Sequence, residues 1–252
     1  MNSNLKVSII TVSFNASKTI EETIKSVLFQ SYKNIEYIIV DGKSSDNTIE
    51  IVDKYKKEIA KVICEKDKGL YDAMNKGVRN CTGNVVYFLN ADDVFKNNKV
   101  VENVVSAFDD KIDFVFGDVE FFYPNENKLV RVSRNASISE LKKGNMPPHQ
   151  GSFVRRKLLE KFPFNLIYRS SCDFDFFCNI IINGAKSKKI NQVMAVMQMG
   201  GVSSGVISYK ETEAIVKKNF GVVSYSLLVA KHKTFRAAKI ILNKLGLKIH
   251  KG

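Results

Sequence analysis

The sequence contains no tryptophan and has few residues that could bind zinc, with four cysteines and three histidines among 252 residues. The cysteines are scattered without a C-x-x-C pair, and no histidine stands at ligand spacing from a cysteine. A structural zinc site is therefore not expected, because such sites use four thiolate or imidazole ligands at characteristic spacings. Dispersed cysteines are typical of a reducing compartment, so we expect free thiols.

Long apolar segments are also absent. No stretch reaches the ~20 apolar residues that a membrane-spanning helix needs. The first residues, MNSNLKVSII, lack the basic, apolar and small-residue regions of a signal peptide. These absences predict a cytoplasmic protein and leave open a peripheral location at the inner face of the cytoplasmic membrane. Neither a Walker loop nor a G-x-G-x-x-G fingerprint is present, which disfavours the P-loop and Rossmann dinucleotide-binding classes.

Charge is abundant but unevenly placed along the chain. The formal net charge is +13, and nine of the 39 lysines and arginines follow Glu213, where no acid occurs. The other 30 nearly balance the 26 acids, so the basicity belongs mainly to a predicted helical tail, residues 206–252. Its mixture of cations and aliphatic residues suits an anionic membrane surface; alternatively, the helix packs on the domain with its basic face in water. Nucleic acid is not expected as a partner, since the cations are not interleaved with a stacking platform.

Apolar, β-branched segments in the first half of the chain predict strands. They are Leu5–Ser13, Ile35–Val40, Lys61–Cys64 and Val85–Leu89. The connections between them are too long for hairpins and carry apolar residues at helical spacing, so a doubly wound, mostly parallel α/β sheet is predicted. The second half adds a predicted hairpin, Val119–Tyr123 with Lys128–Ser133, which indicates a small antiparallel portion.

The segment Asn84–Asp93, NVVYFLNADD, combines a buried strand with a polar end. Its apolar run stops abruptly at residues 90–93. Because a strand buried on both faces cannot carry unpaired carboxylates, the acids must emerge at its C-terminal end, where open α/β sheets bind ligands. Asp41 ends its own strand in the same way. Oxygen-rich strand tips suit Mg²⁺ or Mn²⁺ bound to a diphosphate; the alternative is that these aspartates only form turns and cap helices.

Four segments together resemble a known family. VSIITVSFN, YIIVDGKSSDNT, EKDKGLYDAMNKG and GNVVYFLNADD, in this order and spacing, closely resemble the family-2 glycosyltransferases of the GT-A fold. The similarity is strong over roughly the first hundred residues and continues more loosely to about Met199. It implies a GT-A domain over residues 1–205, made of a nucleotide-binding half (1–93) and an acceptor half (94–205), with the tail following it.

The resemblance also implies roles for residues of the first half. Asp41 would contact the nucleotide base, and Asp67 would lie beside the base and ribose. Asn90 and Asp92 match the family's D-x-D element, with Asp92 as the ligand of Mg²⁺ or Mn²⁺ and Asn90, in place of the usual aspartate, near the ribose. Asp93 would support the metal site without binding the metal directly. The remaining implied nucleotide contacts are Thr11, Ser13, Asn15, Asn75 and Ala91.

In the second half, a polar segment enters an aromatic helix at Ser170–Phe177. The family commonly has Glu-Asp at this point, and here the pair is Cys172 and Asp173, so Asp173 matches the catalytic base. Asp175 is the nearest competitor, and a simple helix cap is the alternative role for Asp173. Residues expected to line the donor or acceptor side are Asp72, His149, Gln150 and Arg155.

The resemblance predicts an inverting, metal-dependent glycosyltransferase. It would move one sugar from a nucleotide-sugar, expected to be a UDP-sugar, to a saccharide or lipid-linked acceptor in surface polysaccharide biosynthesis. The Q-x-x-R-W signature of processive synthases cannot be present without tryptophan. One alternative is a sugar-nucleotide pyrophosphorylase, which would need a glycine-rich basic loop where this chain has Phe14–Ser17. The other is a non-catalytic nucleotide-sugar binder or a membrane-associated scaffold.

Overall fold

The computed structural model describes residues 5–198 and 206–244. Its strands are β1 (Val7–Ser13), β2 (Ile35–Asp41), β3 (Lys61–Cys64), β4 (Val85–Phe88), β5 (Val94–Phe95), β6 (Phe114–Tyr123), β7 (Lys128–Val132), β8 (Ser152–Arg155) and β9 (Ser187–Gln198). Its helices are α1 (Ile20–Leu28), α2 (Thr48–Asp53), α3 (Leu70–Asn80), α4 (Val100–Ala107), α5 (Ile138–Lys142), α6 (Arg156–Lys161), α7 (Cys172–Ile182) and α8 (Val206–Lys244).

These strands form one sheet in the order β3-β2-β1-β4-β8-β6-β9-β5, with β7 paired to β6. The first four strands are parallel to one another. β8 runs antiparallel to both of its neighbours, while β6 and β9 are parallel. The prediction of a mostly parallel α/β sheet with an antiparallel portion is therefore confirmed, and so is the β6–β7 hairpin.

Helices cover both faces of the sheet, which explains why the central strands are apolar throughout. All seven residues of β1 are buried. Ile10 and Val12 face a core that α3, α6, α7 and α8 complete. Val7 and Ile9 face a second core on the other side of the sheet, which α1, α2 and α4 complete. Since alternate residues enter different cores, the polar residues can leave the sheet only at the ends of the strands.

Helix α8 is folded onto this framework. Its axis turns at Gly221, whose φ of 79° lies in the left-handed region. Ile215, Val216 and Leu228 are buried in the same core as α7, and Leu228 also packs against Gly144, just after α5. The tail therefore packs on the domain as far as the described residues go. The proposed boundary at 205 and the tail end, 245–252, lie outside them.

Within the described ranges, no helix is both long enough and apolar enough to cross a membrane.

Candidate active site

The ends of β1, β2 and β4 meet at one edge of the sheet. Ser13 pairs with Asp41, and Ile10 pairs with Phe88, so the residues after these three parallel strands emerge side by side. The loops that follow the strands face the same edge. This edge gathers the acidic strand ends that the sequence singles out, as the parallel arrangement requires.

Asp41 organises this edge through hydrogen bonds. Its carboxylate accepts bonds from the Ser13 hydroxyl at 2.8 Å and from the Ser44 amide and hydroxyl at 2.7 and 2.6 Å. The neighbouring Asn15 takes a left-handed φ of 50°, and its side-chain oxygen accepts the Ser45 amide. No surface of Asp41 is exposed. Contact between Asp41 and a nucleotide base stays a prediction. For that contact to form, the hydrogen bond from the Ser44 hydroxyl would have to break.

A slot beside Asp41 contains two residues that the sequence analysis did not single out. A Cβ atom at Gly42 would lie 2.5 Å from Asp67 Oδ2 and 3.3 Å from Cδ2 of Phe14, so a larger residue would displace the Asp67 carboxylate. The Phe14 side chain is 65% exposed, and Asp67 is held by the Gly69 amide at 2.8 Å. An exposed ring next to a carboxylate can stack on a planar base while the carboxylate accepts a hydrogen bond. The sequence feature that could have predicted this slot is Phe14, the aromatic residue in the turn after β1.

The turn after β4 carries oxygens without partners. Among the described residues, Asn90 Oδ1 and Asp93 Oδ2 are buried and accept no hydrogen bond. The other Asp93 oxygen accepts the Gln198 amide at 3.3 Å, and the Asp93 carbonyl accepts the Thr23 hydroxyl. Asp92 is exposed at the surface, yet the surrounding protein raises the pKa of its carboxyl by partial burial. Burial, and then the Asp92 charge, raise the pKa of Asp93 well above its ordinary value.

These residues fit a hard divalent cation. Buried polar atoms are nearly always paired in proteins, so two unpartnered oxygens next to Asp92 point to a missing positive partner. The donors are all oxygen, as Mg²⁺ or Mn²⁺ prefers. No group of three or more acidic, histidine or cysteine ligands occurs in the described part of the chain. The cation would therefore take its remaining ligands from a diphosphate and water, which is the usual arrangement for Mg²⁺.

Asp173 lies in the first turn of α7, next to the end of β4. Its Oδ2 is 3.6 Å from Nδ1 of His149, and the His149 ring makes an edge contact with Phe88. The other oxygen, Oδ1, accepts the Phe174 amide at 2.8 Å. Burial, and then the adjacent Asp173 carboxylate, raise the pKa of the Tyr71 phenol well above its ordinary value. Asp173 is thus held between an imidazole and a phenol, with its side chain still 16% exposed.

Phe164 packs against both His149 and Tyr71. Its ring lies 5.6 Å from the His149 ring and 5.4 Å from the Tyr71 ring. Its backbone is clamped by the buried Asn75 amide, which donates to the Phe164 carbonyl at 2.9 Å and accepts the Phe164 amide at 3.0 Å. Both ends of the Asn75 amide are therefore occupied. This side chain holds the loop that supports His149 and Tyr71, and its predicted contact with nucleotide stays a prediction.

Asp175, the competitor for the role of base, points into the protein. It is 2% exposed and accepts a hydrogen bond from Asn179 at 3.2 Å, and burial raises its pKa. Because α7 is helical, residues two positions apart point in different directions. Of the two carboxylates, only that of Asp173 is partly exposed at this edge of the sheet.

Two other predicted contacts are corrected by their positions. Arg155 pairs with Val85 at the start of β4, at the edge opposite to Asp92, and its guanidinium donates to the carbonyls of Ile112 and Asp109. It therefore cannot line the donor or acceptor side. Thr11 is fully buried, and its hydroxyl is hydrogen-bonded to the Tyr37 hydroxyl inside the second core, so its side chain cannot reach a nucleotide.

The remaining predicted residues lie near the cleft but have mainly structural contacts. The Gln150 carbonyl accepts the Tyr87 hydroxyl. Asp72 accepts the Lys68 amide at 2.9 Å and caps the start of α3. Ala91 is 6% exposed between Asn90 and Asp92. Their contacts with substrate stay predictions.

Comparison with known proteins agrees with this geometry. The model of the family described as Glycosyl transferase family 2 matches residues 8–177, more than half of the chain. A relative from Escherichia coli, UDP-Glc:alpha-D-GlcNAc-diphosphoundecaprenol beta-1,3-glucosyltransferase WfaP, is 27% identical over 231 residues, which cover 88% of this chain and 90% of that protein.

Two solved structures share the fold. Residues 1–349 of TarS from S. aureus, in complex with UDP-GlcNAc, match with a TM-score of 0.68 and 19% identity, over 84% of this chain and 64% of that one. This chain therefore spans less than two thirds of that TarS fragment. Glucosyl-3-phosphoglycerate synthase from Mycobacterium tuberculosis, in complex with Mn²⁺, UDP and phosphoglyceric acid, matches with a TM-score of 0.66 and 15% identity, over 88% and 80% of the two chains.

The family match covers β1 through the first half of α7, so it includes the acidic strand ends, His149 and Asp173. This match favours a glycosyltransferase over the two alternatives, a sugar-nucleotide pyrophosphorylase and a non-catalytic nucleotide-sugar binder. The chain belongs to glycosyl transferase family 2 and is a glycosyltransferase of the GT-A fold.

Proposed function

We propose that this enzyme transfers a single sugar from a UDP-sugar to a hydroxyl of a lipid-linked saccharide, with inversion at the anomeric carbon, in bacterial surface polysaccharide biosynthesis. One observation carries the proposal. The Asp173 carboxylate lies between His149 and Tyr71, at the sheet edge where Asp92 emerges. A base and an oxygen-rich diphosphate site on one cleft are the two groups that this transfer requires.

The donor assignment rests on the slot formed by Phe14, Gly42 and Asp67. A planar base stacks on the exposed Phe14 ring and lies against the glycine, where no side chain blocks it. Uracil is the base in the solved TarS and synthase complexes and in the donor named for the Escherichia coli relative. The acceptor class comes from the same relative, whose printed substrate is a diphosphoundecaprenol-linked sugar.

The diphosphate lies at the turn after β4. A divalent cation, Mg²⁺ or Mn²⁺, would be held by Asp92 with support from Asn90 and Asp93, and when bound it would neutralise charge on the leaving diphosphate. Asn90 brings an amide where a second carboxylate is usual, so the site carries one negative charge fewer. The buried Asp93 fixes the turn through Gln198 and Thr23.

Asp173 acts on the acceptor. It removes the proton from the acceptor hydroxyl while that oxygen forms its bond to the anomeric carbon, and the bond from that carbon to the diphosphate oxygen breaks with its electron pair leaving on UDP. A single displacement of this kind inverts the anomeric centre. His149 and Tyr71 position the carboxylate, and the hydrogen bond from the Phe174 amide occupies Oδ1 so that Oδ2 is the oxygen available for the proton.

The location that we propose is the cytoplasm, at the inner face of the cytoplasmic membrane. The support is the basic surface of α8, where Lys217, Lys218 and Lys233 are exposed while Ile215, Val216 and Leu228 are buried in the core that α7 also lines. Cations near an anionic surface add about 1 kcal/mol each to binding.

The replacement Asp173→Asn tests the proposed chemistry. It keeps the size of the side chain and its acceptor for the Phe174 amide, but it removes the base, so we expect turnover to fall about 10²- to 10⁴-fold. The measurement is release of free UDP from a panel of UDP-sugars with Mn²⁺, with and without a lipid-linked acceptor. UDP affinity, measured by calorimetry, should stay unchanged.

Asp175→Asn is the matched control, because it makes the same chemical change two residues further along α7 on a side chain that faces the core. It should keep full turnover. If Asp173→Asn were as active as the unmodified enzyme, or if Asp175→Asn were the inactive variant, the assignment of the base would be wrong.

A further inference from the structure

Four exposed aliphatic side chains surround the approach to Asp173. Their exposed fractions are 47% for Leu70, 45% for Leu166, 79% for Ile167 and 55% for Ile207. Leu70 begins α3 just before Tyr71, Leu166 and Ile167 lie in the loop that leads into α7, and Ile207 lies in the first turn of α8. We call these four residues the rim.

Specific contacts bring the three segments of the rim together. The start of α3 joins the loop through the Tyr71–Phe164 ring contact, at 5.4 Å. The start of α8 joins the loop through the Glu211 carboxylate, which accepts the Arg169 and Ser170 amides at 2.8 and 2.9 Å. The Ser171 hydroxyl donates to the Ser208 carbonyl at 3.2 Å. The rim is therefore a fixed surface around the catalytic carboxylate.

Three exposed cations lie beside the rim. Lys68, Arg169 and Lys210 are exposed beside it, and none of them has an ion-pair partner among the described residues. The nearby acids are already engaged: Glu211 binds the backbone of the loop, and Asp72 binds the Lys68 amide and lies 3.8 Å from Lys76. Exposed aliphatic side chains interleaved with free cations are what an anionic lipid surface binds.

The geometry points to this rim as a membrane-docking surface: we propose that Leu70, Leu166, Ile167 and Ile207 seat on an anionic phospholipid bilayer, so that a lipid-linked acceptor reaches Asp173 from the membrane. This inference rests on the proposed transfer to a lipid-linked acceptor. It adds the docking surface, which places the bilayer at the mouth of the cleft, and it gives the cations of the rim a partner.

A second apolar surface provides the rival location. Val222, Val223 and Leu227, at the turn of α8, are 63%, 76% and 69% exposed. Val222 follows Ile207 by about 22 Å of helix, at 1.5 Å per residue, so this turn lies away from the approach to Asp173. The rim is favoured because it combines aliphatic side chains, unpaired cations and the catalytic residue in one place.

The test compares matched double variants of the full chain. Leu166→Ser with Ile167→Ser removes two aliphatic side chains from the rim, and Val222→Ser with Val223→Ser removes two from the turn. Binding is measured by co-sedimentation with vesicles of phosphatidylglycerol and phosphatidylcholine. We expect the rim variant to bind at least about tenfold more weakly, because each buried aliphatic side chain contributes that much or more, and the turn variant to stay within about twofold.

A charge variant supplies a second measurement. Arg169→Gln with Lys210→Gln should weaken binding to the anionic vesicles about fivefold per cation and reduce its dependence on salt. Binding to pure phosphatidylcholine vesicles should not change. Thermal unfolding of every variant shows whether the fold is kept, and only variants with the unfolding temperature of the unmodified chain are compared.

The outcomes separate this inference from the proposed function. Weaker binding of the turn variant alone, or equal weakening of both variants, would overturn the rim as the docking surface. Release of UDP from a UDP-sugar in the absence of lipid reports the transferase chemistry, and it should be the same in the rim variant and the unmodified chain. If no UDP is released by any variant while vesicle binding still depends on the rim, the proposed function fails and the docking surface stands.

Discussion

Glu36 and Asp93 lie at opposite ends of the parallel strands and differ in their hydrogen bonding. At the start of the strands, Glu36 accepts hydrogen bonds from the Ser8 hydroxyl at 2.6 Å, from the Lys6 ammonium at 2.9 Å, and from the amide and hydroxyl of Thr82 at 2.7 and 2.6 Å. At the other end, Asp93 has a buried oxygen without any partner in the described part of the protein. A carboxylate therefore stabilises the fold at one edge, whereas at the other edge a carboxylate oxygen remains available to a ligand.

The pKa values reflect this difference. Burial alone would raise the pKa of Glu36, but the hydrogen bonds from Ser8, Thr82 and Lys6 more than offset it and lower the pKa from 4.5 to about 2. Burial raises the pKa of Asp92 and Asp93, where the hydrogen bonds are too few to offset it. An unsatisfied buried group costs about 1–3 kcal/mol, and a bound ligand can supply the missing interaction. The unpaired oxygens of Asn90 and Asp93 therefore lie beside Asp92, at the edge where we propose that the diphosphate binds.

The largest effect that follows from this comparison is a loss of binding at the ligand edge. Asp92→Asn removes the charged ligand of the proposed cation while keeping the shape of the turn. We expect Mn²⁺-dependent UDP binding to weaken at least about 100-fold, since changes even behind a metal ligand cost up to that amount. Calorimetric titration of UDP with Mn²⁺ and with a chelator measures it. The unfolding temperature should not fall, and unchanged binding would remove Asp92 from the site.

The reciprocal change at the opposite edge should destabilise the protein and leave binding intact. Glu36→Gln replaces a carboxylate that accepts four hydrogen bonds with an amide that cannot accept all of them, so the free energy of unfolding should fall by about 1–3 kcal/mol. Denaturant unfolding at pH 7 measures the loss. A stable variant, or one that binds UDP poorly, would contradict the division between the two edges.

The Glu36 contribution should also depend on pH in a defined window. Because the pKa is lower in the folded protein, the stabilisation is fully present above the ordinary value of 4.5 and is lost as the pH falls towards about 2. Other acids titrate in this range, so the quantity to measure is the difference in free energy of unfolding between the unmodified chain and Glu36→Gln. That difference should shrink steadily from pH 5 to pH 2, and a constant difference would show that Glu36 keeps an ordinary pKa.

The smallest effect concerns Arg155, which lies at the same structural edge. Arg155→Gln removes two hydrogen bonds to backbone carbonyls and the contact of the guanidinium with the Phe108 ring, 5.2 Å away. We expect about 1 kcal/mol of lost stability, and UDP release unchanged within about twofold. A tenfold loss of turnover at unchanged stability would restore the sequence-based assignment of Arg155 to the donor or acceptor side.

The structural roles of Asn75 and Arg155 escape sequence analysis for the same reason. Asn75 and Arg155 are polar residues near the matched motifs, and sequence position alone assigned them to the cleft. Their partners are distant in the chain: Asn75 is clamped to Phe164, 89 positions away, and Arg155 to Ile112, 43 positions away. No local pattern reveals such partners. Phe14 and Gly42 were overlooked for the opposite reason, because turn chemistry explains both residues equally well.

The sequence by itself determined the strands and where their acids emerge. Runs such as Val85–Phe88 must be buried on both faces, and charged residues can then occur only at strand ends. The tertiary structure decided which of those polar groups are left free. Ser8, 28 positions away, donates to Glu36, and Ser13, also 28 positions away, donates to Asp41. Asp93 instead keeps a buried oxygen unpaired, and Asp173 meets His149 and Tyr71. Whether an acid supports the fold or faces a ligand depends on the donors that folding brings to it, and those donors come from parts of the chain that no local pattern connects.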